Sequence, residues 1–261
     1  FRCFFGVLLA GGVPVPVYPA GRPSQIEEHL RRHGKIADNA QAVILITVPE
    51  AKAYSRLMIG QAPGLRHVVT PSDLQNAPPL VGMPVRTATD TALIQYTSGS
   101  TGDPKGVVLS QANLLANIRG MGQALDAKPD DVMISWLPLY HDMGLIGAWL
   151  GSLYHGMPLI IMSPLTFLAR PERWLRAIHR YRGTISGAPN FAYEACLNRV
   201  GDEAIAELDL SSWRVAFNGA EAVSPQTMEA FSKKFAPAGF RRETMMPVFG
   251  LAENCVGLTF P

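Results

Sequence analysis

The sequence predicts an α/β fold whose core is a largely parallel β-sheet. Short apolar segments rich in β-branched residues alternate with amphipathic helical patterns along most of the chain, and this alternation is typical of that fold class. The 261 residues are 48% hydrophobic and 17% charged, as expected of a globular chain that buries a sizeable core. The net charge of +2 gives no reason to expect nucleic acid or an anionic membrane, so we expect a small-molecule partner.

The first half of the chain alternates between segments of strand character and segments of helical character. The predicted strands are VPVPVY (13–18), AVILITV (42–48), RHVVT (66–70) and TALIQYT (91–97). The predicted helices are SQIEEHLRRHGKIADNA (24–40), AKAYSRLMIGQA (51–62) and SQANLLANIRGMGQAL (110–125). Ser24 and Glu27 form a capping box for the first of these helices, and Ser110 is the expected N-cap of the third.

The polar segment DAKPDD (126–131) is the predicted junction between two lobes, 1–127 and 128–261. The strands expected beyond it are VMISWLP (132–138), PLIIM (158–162), GTISGAP (183–189) and WRVAFNG (213–219). The helices expected beyond it are GLIGAWLGSLYHG (144–156), RPERWLRAIHRYR (170–182), FAYEACLNRV (191–200) and SPQTMEAFSKKFA (224–236).

The first apolar run of the chain ends at Gly11 and Gly12. These glycines and the prolines at 14, 16 and 19 interrupt it too early for a secretory signal peptide, so we interpret it as the end of a buried helix. The other apolar region, 146–163, is interrupted by glycine, histidine and proline, and we expect no membrane span. Three scattered cysteines, at 3, 196 and 255, indicate neither a disulfide framework nor a zinc site and favour a cytoplasmic protein.

The segment YTSGSTGDPKGVVLS (96–110) concentrates glycines, hydroxyl side chains and Lys105 between a predicted strand and a predicted helix. The glycines let successive backbone N–H groups turn toward one point, while the hydroxyls and the ammonium group add donors. This composition predicts an anion-binding loop. Gly106 follows Lys105, so the P-loop pattern G-x-x-x-x-G-K-[ST] is not matched. A Ser/Gly-rich surface turn is the alternative.

These residues resemble the phosphate-binding signature of the adenylate-forming superfamily, which includes acyl-CoA synthetases, luciferases and peptide-synthetase adenylation domains. Other segments resemble the family in its order: VPVPVYP (13–19) its early strand, FNGAEAV (217–223) its adenine-binding strand end, and FGLAEN (249–254) its aromatic-Gly-x-x-Glu motif. WLPLYHDMGLIG (136–147) and APNFAYE (188–194) look most like fatty-acyl-AMP ligases, which activate long-chain acids for polyketide or peptide synthases. The resemblance implies the large N-terminal domain of an adenylate-forming enzyme, with two αβαβα subdomains and mostly parallel sheets.

The resemblance also implies the chemistry. A fatty carboxylate attacks the α-phosphorus of ATP, pyrophosphate leaves, and Mg²⁺ and cations stabilise the phosphate charge; the acyl-AMP would then serve an acyl carrier protein. The residues expected to hold the β- and γ-phosphates are Thr97, Ser98, Gly99, Ser100, Thr101, Gly102 and Lys105. Those expected around adenine are Asn218, Gly219, Ala220, Glu221, Phe249, Gly250, Leu251 and Ala252. Glu253 is the expected Mg²⁺ ligand.

Phe249 and Ala252 depart from the family pattern, which usually has Tyr and Thr at these places. The stacking face for adenine remains at Phe249, but its hydroxyl is lost, and Ala252 removes one phosphate contact.

His141 is the residue that the resemblance places at the mouth of an acyl pocket, near the reacting carboxylate and oriented by Asp142. Together with Lys105 and Glu253 it forms the expected catalytic set. The expected wall of the pocket is formed by Met143, Gly144, Pro189 and Asn190. Without the resemblance, a histidine followed by an aspartate is more often an ordinary surface or core pair than a functional one.

Four arginines, at 170, 173, 176 and 180, share one face of a predicted amphipathic helix. That face is either simply solvated or a contact for a carrier protein.

The family continues beyond its aromatic-Gly-x-x-Glu motif with a ribose-binding aspartate, a hinge and a small C-terminal domain whose lysine reaches the α-phosphate. These parts do not fit within 261 residues that stop at Pro261, so we expect a piece of a longer enzyme that lacks the small domain and is inactive alone. Two alternatives stay open. A fatty acyl-CoA synthetase would use the same sites with another acceptor, and a non-catalytic ATP- or acyl-binding module would apply if this length were natural.

Overall fold

The chain forms two compact units, Phe1–Ala112 and Asn113–Pro261, in a computed structural model that describes residues 1–19, 26–75, 77–97 and 104–261. The division falls ahead of the predicted boundary at residue 127. Segment 125–131 belongs to the second unit because Arg214 holds it there: its Nη1 donates to the Leu125 carbonyl at 2.7 Å and its Nε to Asp131 at 2.8 Å.

The first unit contains helices and two separate pairs of strands. Its helices are α1 (Arg2–Leu9), α2 (Ile26–Asn39), α3 (Pro49–Ser55) with a 3₁₀ turn at Arg56–Gly60, and the start of α4 (Gln111–Ala124). Its strands are β1 (Ile44–Ile46), parallel to β2 (His67–Val69), and β3 (Thr91–Thr97), antiparallel to β4 (Lys105–Ser110). Leu30, Met58, Leu65 and Val68 pack together between α2 and the β1–β2 pair. Ser24 of the predicted capping box lies outside the described residues.

Two predictions for the start of the chain are wrong. Helix α1 forms as expected, but none of its described residues is buried, so the prediction of a buried helix is wrong. The segment VPVPVYP forms no strand in the described residues 13–19. Its prolines have no N–H to donate to a sheet ladder, and one hydrogen bond, from Ile94 N–H to the Pro14 carbonyl at 3.2 Å, joins it to β3.

The described parts of segment 96–110 belong to two antiparallel strands, so the prediction that a single strand and a helix flank the glycine-rich loop is wrong. Tyr96 and Thr97 end β3, whereas Lys105 begins β4, with Thr97 and Lys105 as cross-strand partners. The β-branched Val107 and Val108 favour the strand that sequence reasoning missed. Helix α4 begins only at Gln111, directly after this strand.

The second unit is built around a five-stranded sheet. Its strands, in the spatial order β6-β5-β7-β8-β9, are all parallel: β5 (Met133–Ser135), β6 (Leu159–Ile161), β7 (Ile185–Ala188), β8 (Val215–Asn218) and β9 (Met245–Pro247). A small antiparallel pair follows, β10 (Phe249–Gly250) and β11 (Gly257–Thr259). The parallel sheet predicted from the alternation of strands and helices is confirmed.

The helices of the second unit connect these strands. A π-helical segment (Met143–Leu150) continues into α5 (Gly151–His155), and the helices beyond it are α6 (Pro164–Ala169), α7 (Glu172–Tyr181), α8 (Asn190–Arg199), α9 (Asp202–Ala206) and α10 (Pro225–Phe235). Sequence reasoning missed the short α6 and α9.

The core of the second unit is aromatic. Trp174 and Trp213 are fully buried, and each indole N–H is paired: Trp174 donates to Ser186 Oγ at 2.8 Å and Trp213 to the Val215 carbonyl at 2.7 Å. Ser186 in turn donates to the Ile134 carbonyl of β5 at 2.6 Å. Because buried polar groups are costly only when they are unpaired, this core holds the sheet firmly and with it the strand ends.

Candidate active site

The predicted site residues of the second unit lie just beyond the carboxyl ends of four neighbouring parallel strands. His141 follows β5, Asn190 follows β7, Asn218 ends β8, and Phe249 follows β9. Open parallel sheets bind their ligands at this edge. The fold therefore brings together four segments that are far apart in sequence.

His141 and Asp142 form a contacting pair on the segment after β5. Asp142 Oδ1 lies 2.8 Å from His141 Nδ1 and accepts the Met143 N–H at 2.6 Å. We assign the ring proton to Nδ1, which faces the carboxylate, so that Nε2 is the acceptor in the neutral ring. The hydrogen bond with Asp142 raises the pKa of His141 above 6.5, against an opposing effect of burial. The side chain of His141 is 51% exposed and accessible to a ligand.

Gly144 makes this segment compact. A Cβ at this position would lie 2.3 Å from the Pro138 carbonyl oxygen, so only glycine fits without moving the backbone. The His141 carbonyl accepts from the N–H groups of Gly144 at 3.1 Å and Leu145 at 2.8 Å. Met143 is buried, and its position on a pocket wall remains a prediction.

Asp142→Asn is expected to lower the pKa of His141, because the amide removes the negative charge while the partial desolvation of the ring remains. A raised pKa contributes stability that is fully present below the unfolded pKa of about 6.5 and is lost as pH rises through the higher folded pKa. The variant should therefore differ from the wild type in free energy of unfolding most at acidic pH and less at alkaline pH. An NMR titration of the ring and urea unfolding at both pH values test this; an unchanged ring pKa would contradict it.

Asn190 ties three elements together. Its Oδ1 accepts the Ser224 N–H and Asn218 Nδ2, each at 3.1 Å, and its Nδ2 donates to Glu194 Oε1 at 2.8 Å. The backbone N–H of Ser224 fixes the orientation of this amide, so Asn218 must present its own NH₂ group. Asn218 Oδ1 is then left buried without a hydrogen-bond partner within the described part of the chain.

Asn190 was predicted as acyl-pocket wall. These contacts make it a connector between β8, α8 and α10, and its contact with an acyl chain remains a prediction, as does that of Pro189, the N-cap of α8.

The loop after β8 is shaped by close backbone contacts. A Cβ on Gly219 would lie 2.7 Å from the Val248 carbonyl oxygen, so glycine allows β8 and β9 to continue side by side. Ala220 has a φ of +69°, a left-handed conformation that costs about 1–2 kcal/mol. Glu221 Oε1 accepts the N–H of Phe191 at 2.6 Å. This carboxylate caps the first turn of α8. Sequence reasoning placed Glu221 beside adenine and missed this structural role.

The hairpin β10–β11 presents Phe249 and Glu253. The Phe249 ring is 56% exposed, and the Glu253 carboxylate is exposed with no partner among the described residues. Ala252 is buried, and Leu251 is exposed. A Cβ on Gly250 would lie 1.7 Å from the Val256 carbonyl oxygen, so the hairpin requires glycine there.

Cys255 forms a strained turn inside this hairpin. Its φ of +68° and ψ of −60°, with the Val256 N–H donating to the Asn254 carbonyl at 2.9 Å, define a γ-turn of the rare type. The buried thiol has a pKa raised to about 11 by desolvation, so it is a packing group rather than a nucleophile.

Asn117 is a supporting residue that sequence reasoning missed. Its Nδ2 donates to the Gly257 carbonyl at 2.7 Å and its Oδ1 accepts the Gly257 N–H at 3.1 Å, which anchors β11 to α4. Asparagine is a weak helix former. Its occurrence inside a predicted helix was the one feature of the sequence that could have indicated a supporting role.

The phosphate-loop prediction is only partly within the described structure. Ser98, Gly99, Ser100, Thr101 and Gly102 lie outside the described residues. The two predicted residues that flank them, Thr97 and Lys105, face each other across the β3–β4 pair, and Lys105 is exposed.

Gly106 fits this pair of strands closely. A Cβ there would lie 2.9 Å from the Tyr96 ring, whose hydroxyl donates to Asn39 Oδ1 at 2.5 Å.

Metal-binding side chains do not cluster in the part of the chain that the structure describes. No three His, Cys, Asp or Glu residues there lie close enough together to hold a metal ion, and the three cysteines are free. A lone exposed carboxylate such as Glu253 suits Mg²⁺, which is commonly bound by one or two carboxylates together with substrate phosphates. Among the described helices, none has the length and apolar character needed to cross a membrane.

A parallel sheet with polar side chains along its carboxyl edge is typical of the class of α/β proteins that bind a ligand at that edge. The chain belongs to the AMP-binding enzyme family, whose model matches residues 2–261.

Named relatives agree with that assignment. The chain is 40% identical over 255 residues to the medium-chain-fatty-acid–[acyl-carrier-protein] ligase JamA of Moorena producens, covering 95% of this chain and 43% of JamA. It superimposes with a TM-score of 0.94 and 35% identity on a chain from a study of fatty acyl-adenylate ligases of E. coli and L. pneumophila, covering 99% of this chain and 47% of that one. The L. pneumophila ligase in complex with acyl adenylate and pyrophosphate matches with a TM-score of 0.84 and 36% identity, with coverages of 99% and 44%. The chain thus spans less than half of each relative.

Proposed function

We propose that the full-length protein activates a fatty acid with ATP to form acyl-AMP and pyrophosphate, and then passes the acyl group to a carrier protein. The observation that carries this proposal is the gathering of His141, Asn218 and Phe249 at one edge of a parallel sheet. Two relatives support it: one is a medium-chain-fatty-acid–[acyl-carrier-protein] ligase, and another was solved with acyl adenylate and pyrophosphate. The three free cysteines support a cytoplasmic location.

The proposed chemistry has two steps. A carboxylate oxygen of the fatty acid attacks the α-phosphorus of ATP, and the bond from that phosphorus to pyrophosphate breaks. A carrier thiol then loses its proton to solvent, its sulfur attacks the acyl carbon, and AMP leaves with the electrons of the broken C–O bond. Lys105 and the N–H groups of the glycine-rich loop would hold the β- and γ-phosphates. Protonated His141, favoured by Asp142, would attract the incoming carboxylate.

Phe249 and Glu253 have the exposure that their proposed partners require. The open face of the Phe249 ring would stack on adenine, and Glu253 would hold Mg²⁺. When bound, Mg²⁺ supplies charge neutralisation at the phosphate oxygens. The chain's own part is to hold this carboxylate in place through the β10–β11 hairpin.

Exchange of labelled pyrophosphate into ATP by the full-length protein tests this proposal. We expect exchange with fatty acids and none without an acid, because reversal needs bound acyl-AMP. Exchange that required an amino acid would contradict the fatty-acyl substrate, and no exchange with any acid would favour a binding module. Thioester formation on coenzyme A in preference to a carrier protein would identify a CoA synthetase instead.

A further inference from the structure

Of the four arginines predicted to share a helix face, two contact neighbouring side chains. Arg176 pairs with Glu172 and Glu207, the latter at 2.8 Å. Arg180 lies over the Tyr181 ring, with its guanidinium carbon 5.4 Å from the ring centroid. Arg170 and Arg173 remain exposed, and neither guanidinium has a partner among the described residues.

Two exposed leucines directly precede these two arginines in the chain. Leu165 is 74% exposed and Leu168 is 50% exposed, and their spacing of three places them on one face of α6. No acidic residue occurs between 163 and 171. We name Leu165, Leu168, Arg170 and Arg173 the α6–α7 corner. Two exposed leucines followed by two arginines that have no partner among the described residues differ from the scattered single apolar residues of an ordinary protein surface.

The backbone of the corner is held firmly. Arg199 donates to the carbonyls of Leu168 and Ala169 at 2.8 and 2.7 Å, which satisfies the C-terminal end of α6. Ser163 Oγ accepts the N–H of Leu165 at 3.2 Å at the other end. A surface that is already ordered loses little entropy when a partner binds.

The corner is connected to the candidate site through one aromatic stack. Phe167, between the two leucines, is fully buried and stacks on Trp136 with ring centroids 4.0 Å apart. Trp136 lies on the segment that runs from β5 to His141. It also packs edge-to-face against Phe191, with ring centroids 6.0 Å apart. One aromatic layer therefore separates the exposed leucines from the segment that carries His141.

We propose that the α6–α7 corner is the docking surface for the phosphopantetheine-bearing carrier protein, an inference that rests on the proposed function. Charge complementarity selects this partner. The two arginines suit the carboxylates of an acidic amphipathic helix, and the leucines suit its apolar stripe. Docking here would place the carrier next to the aromatic layer that supports the segment carrying His141.

The test uses the full-length enzyme and a purified phosphopantetheine-loaded acyl carrier protein that the wild type acylates. The double variant Arg170→Glu/Arg173→Glu should lower kcat/KM for the carrier by about tenfold or more. Pyrophosphate exchange and acyl transfer to free pantetheine should stay unchanged. Arg180→Glu, on the same helix, is the matched control and should leave all three activities unchanged.

Leu165→Gln provides a second variant that alters no charge and should also weaken transfer to the carrier alone. Unchanged carrier transfer in both variants overturns the proposal, and so does a parallel loss of exchange or of pantetheine transfer. A large fall in Tm for Leu165→Gln would show that another part of the enzyme covers the corner, which also overturns it. A wild type without acid-dependent exchange, or one that acylates no carrier, would instead refute the proposed function itself.

Discussion

Gly250→Ala is expected to abolish most fatty-acid-dependent pyrophosphate exchange by the full-length enzyme. The new Cβ would lie 1.7 Å from the Val256 carbonyl oxygen, which is far inside van der Waals contact, so the two strands of the hairpin must separate. The bond from Leu251 N–H to the same carbonyl, 3.1 Å long, would be lost with them. Phe249 and Glu253 would then shift, and a displacement of about 1 Å at a site costs about a hundredfold in rate.

Gly201→Ala is the matched control for this prediction. No atom lies within 4 Å of the position that its Cβ would take, and the residue precedes α9, outside the candidate site. We expect exchange at the wild-type rate. Equal activity of Gly250→Ala and Gly201→Ala would show that the hairpin does not position reacting groups.

Glu253→Gln should lower the exchange rate by about a hundredfold or more, the scale seen when one electrostatic contact to a transition state is removed. The amide keeps the shape of the side chain but loses the negative charge that would hold Mg²⁺. Tm should hardly change, because the carboxylate is exposed and unpaired among the described residues. The concentration of Mg²⁺ that gives half-maximal exchange should rise.

The comparison for this variant is Glu203→Gln, on the exposed surface of α9. It removes the same charge from the same unit and should change neither the rate nor the Mg²⁺ dependence. If both variants retained full activity at every Mg²⁺ concentration, the metal role of Glu253 would be wrong.

The parallel sheet of the second unit was predictable because its strands are short, apolar and β-branched, and each is followed by a helical period. Those properties are local, so they can be read without knowing what the strand contacts. The same reasoning failed at VPVPVYP, where apolar alternation suggests a strand but the prolines remove the N–H donors that a ladder needs. It failed again at Lys105, because the partner that makes this segment a strand is β3.

The candidate site shows the same division between local and distant information. The types of residue at His141, Phe249 and Glu253 could be read from short motifs. The structural uses of Asn190 and Glu221 could not, because their partners lie in other elements: Asn190 binds Ser224, and Glu221 binds Phe191. A motif states which side chain is present, whereas its hydrogen-bond partner depends on how the elements pack.

The sequence by itself determined the fold class, the family resemblance and the chemical groups available for binding ATP and an acid, since these depend on composition, periodicity and short motifs. Only the tertiary structure decided which arginines near α7 have no partner among the described residues, that the Asn218 amide oxygen has none there either, and how the β10–β11 hairpin is anchored. The last of these joins Asn117 to Gly257, 140 residues further along the chain. Contacts over such a separation follow from the packing of whole elements, which no local pattern of residues records.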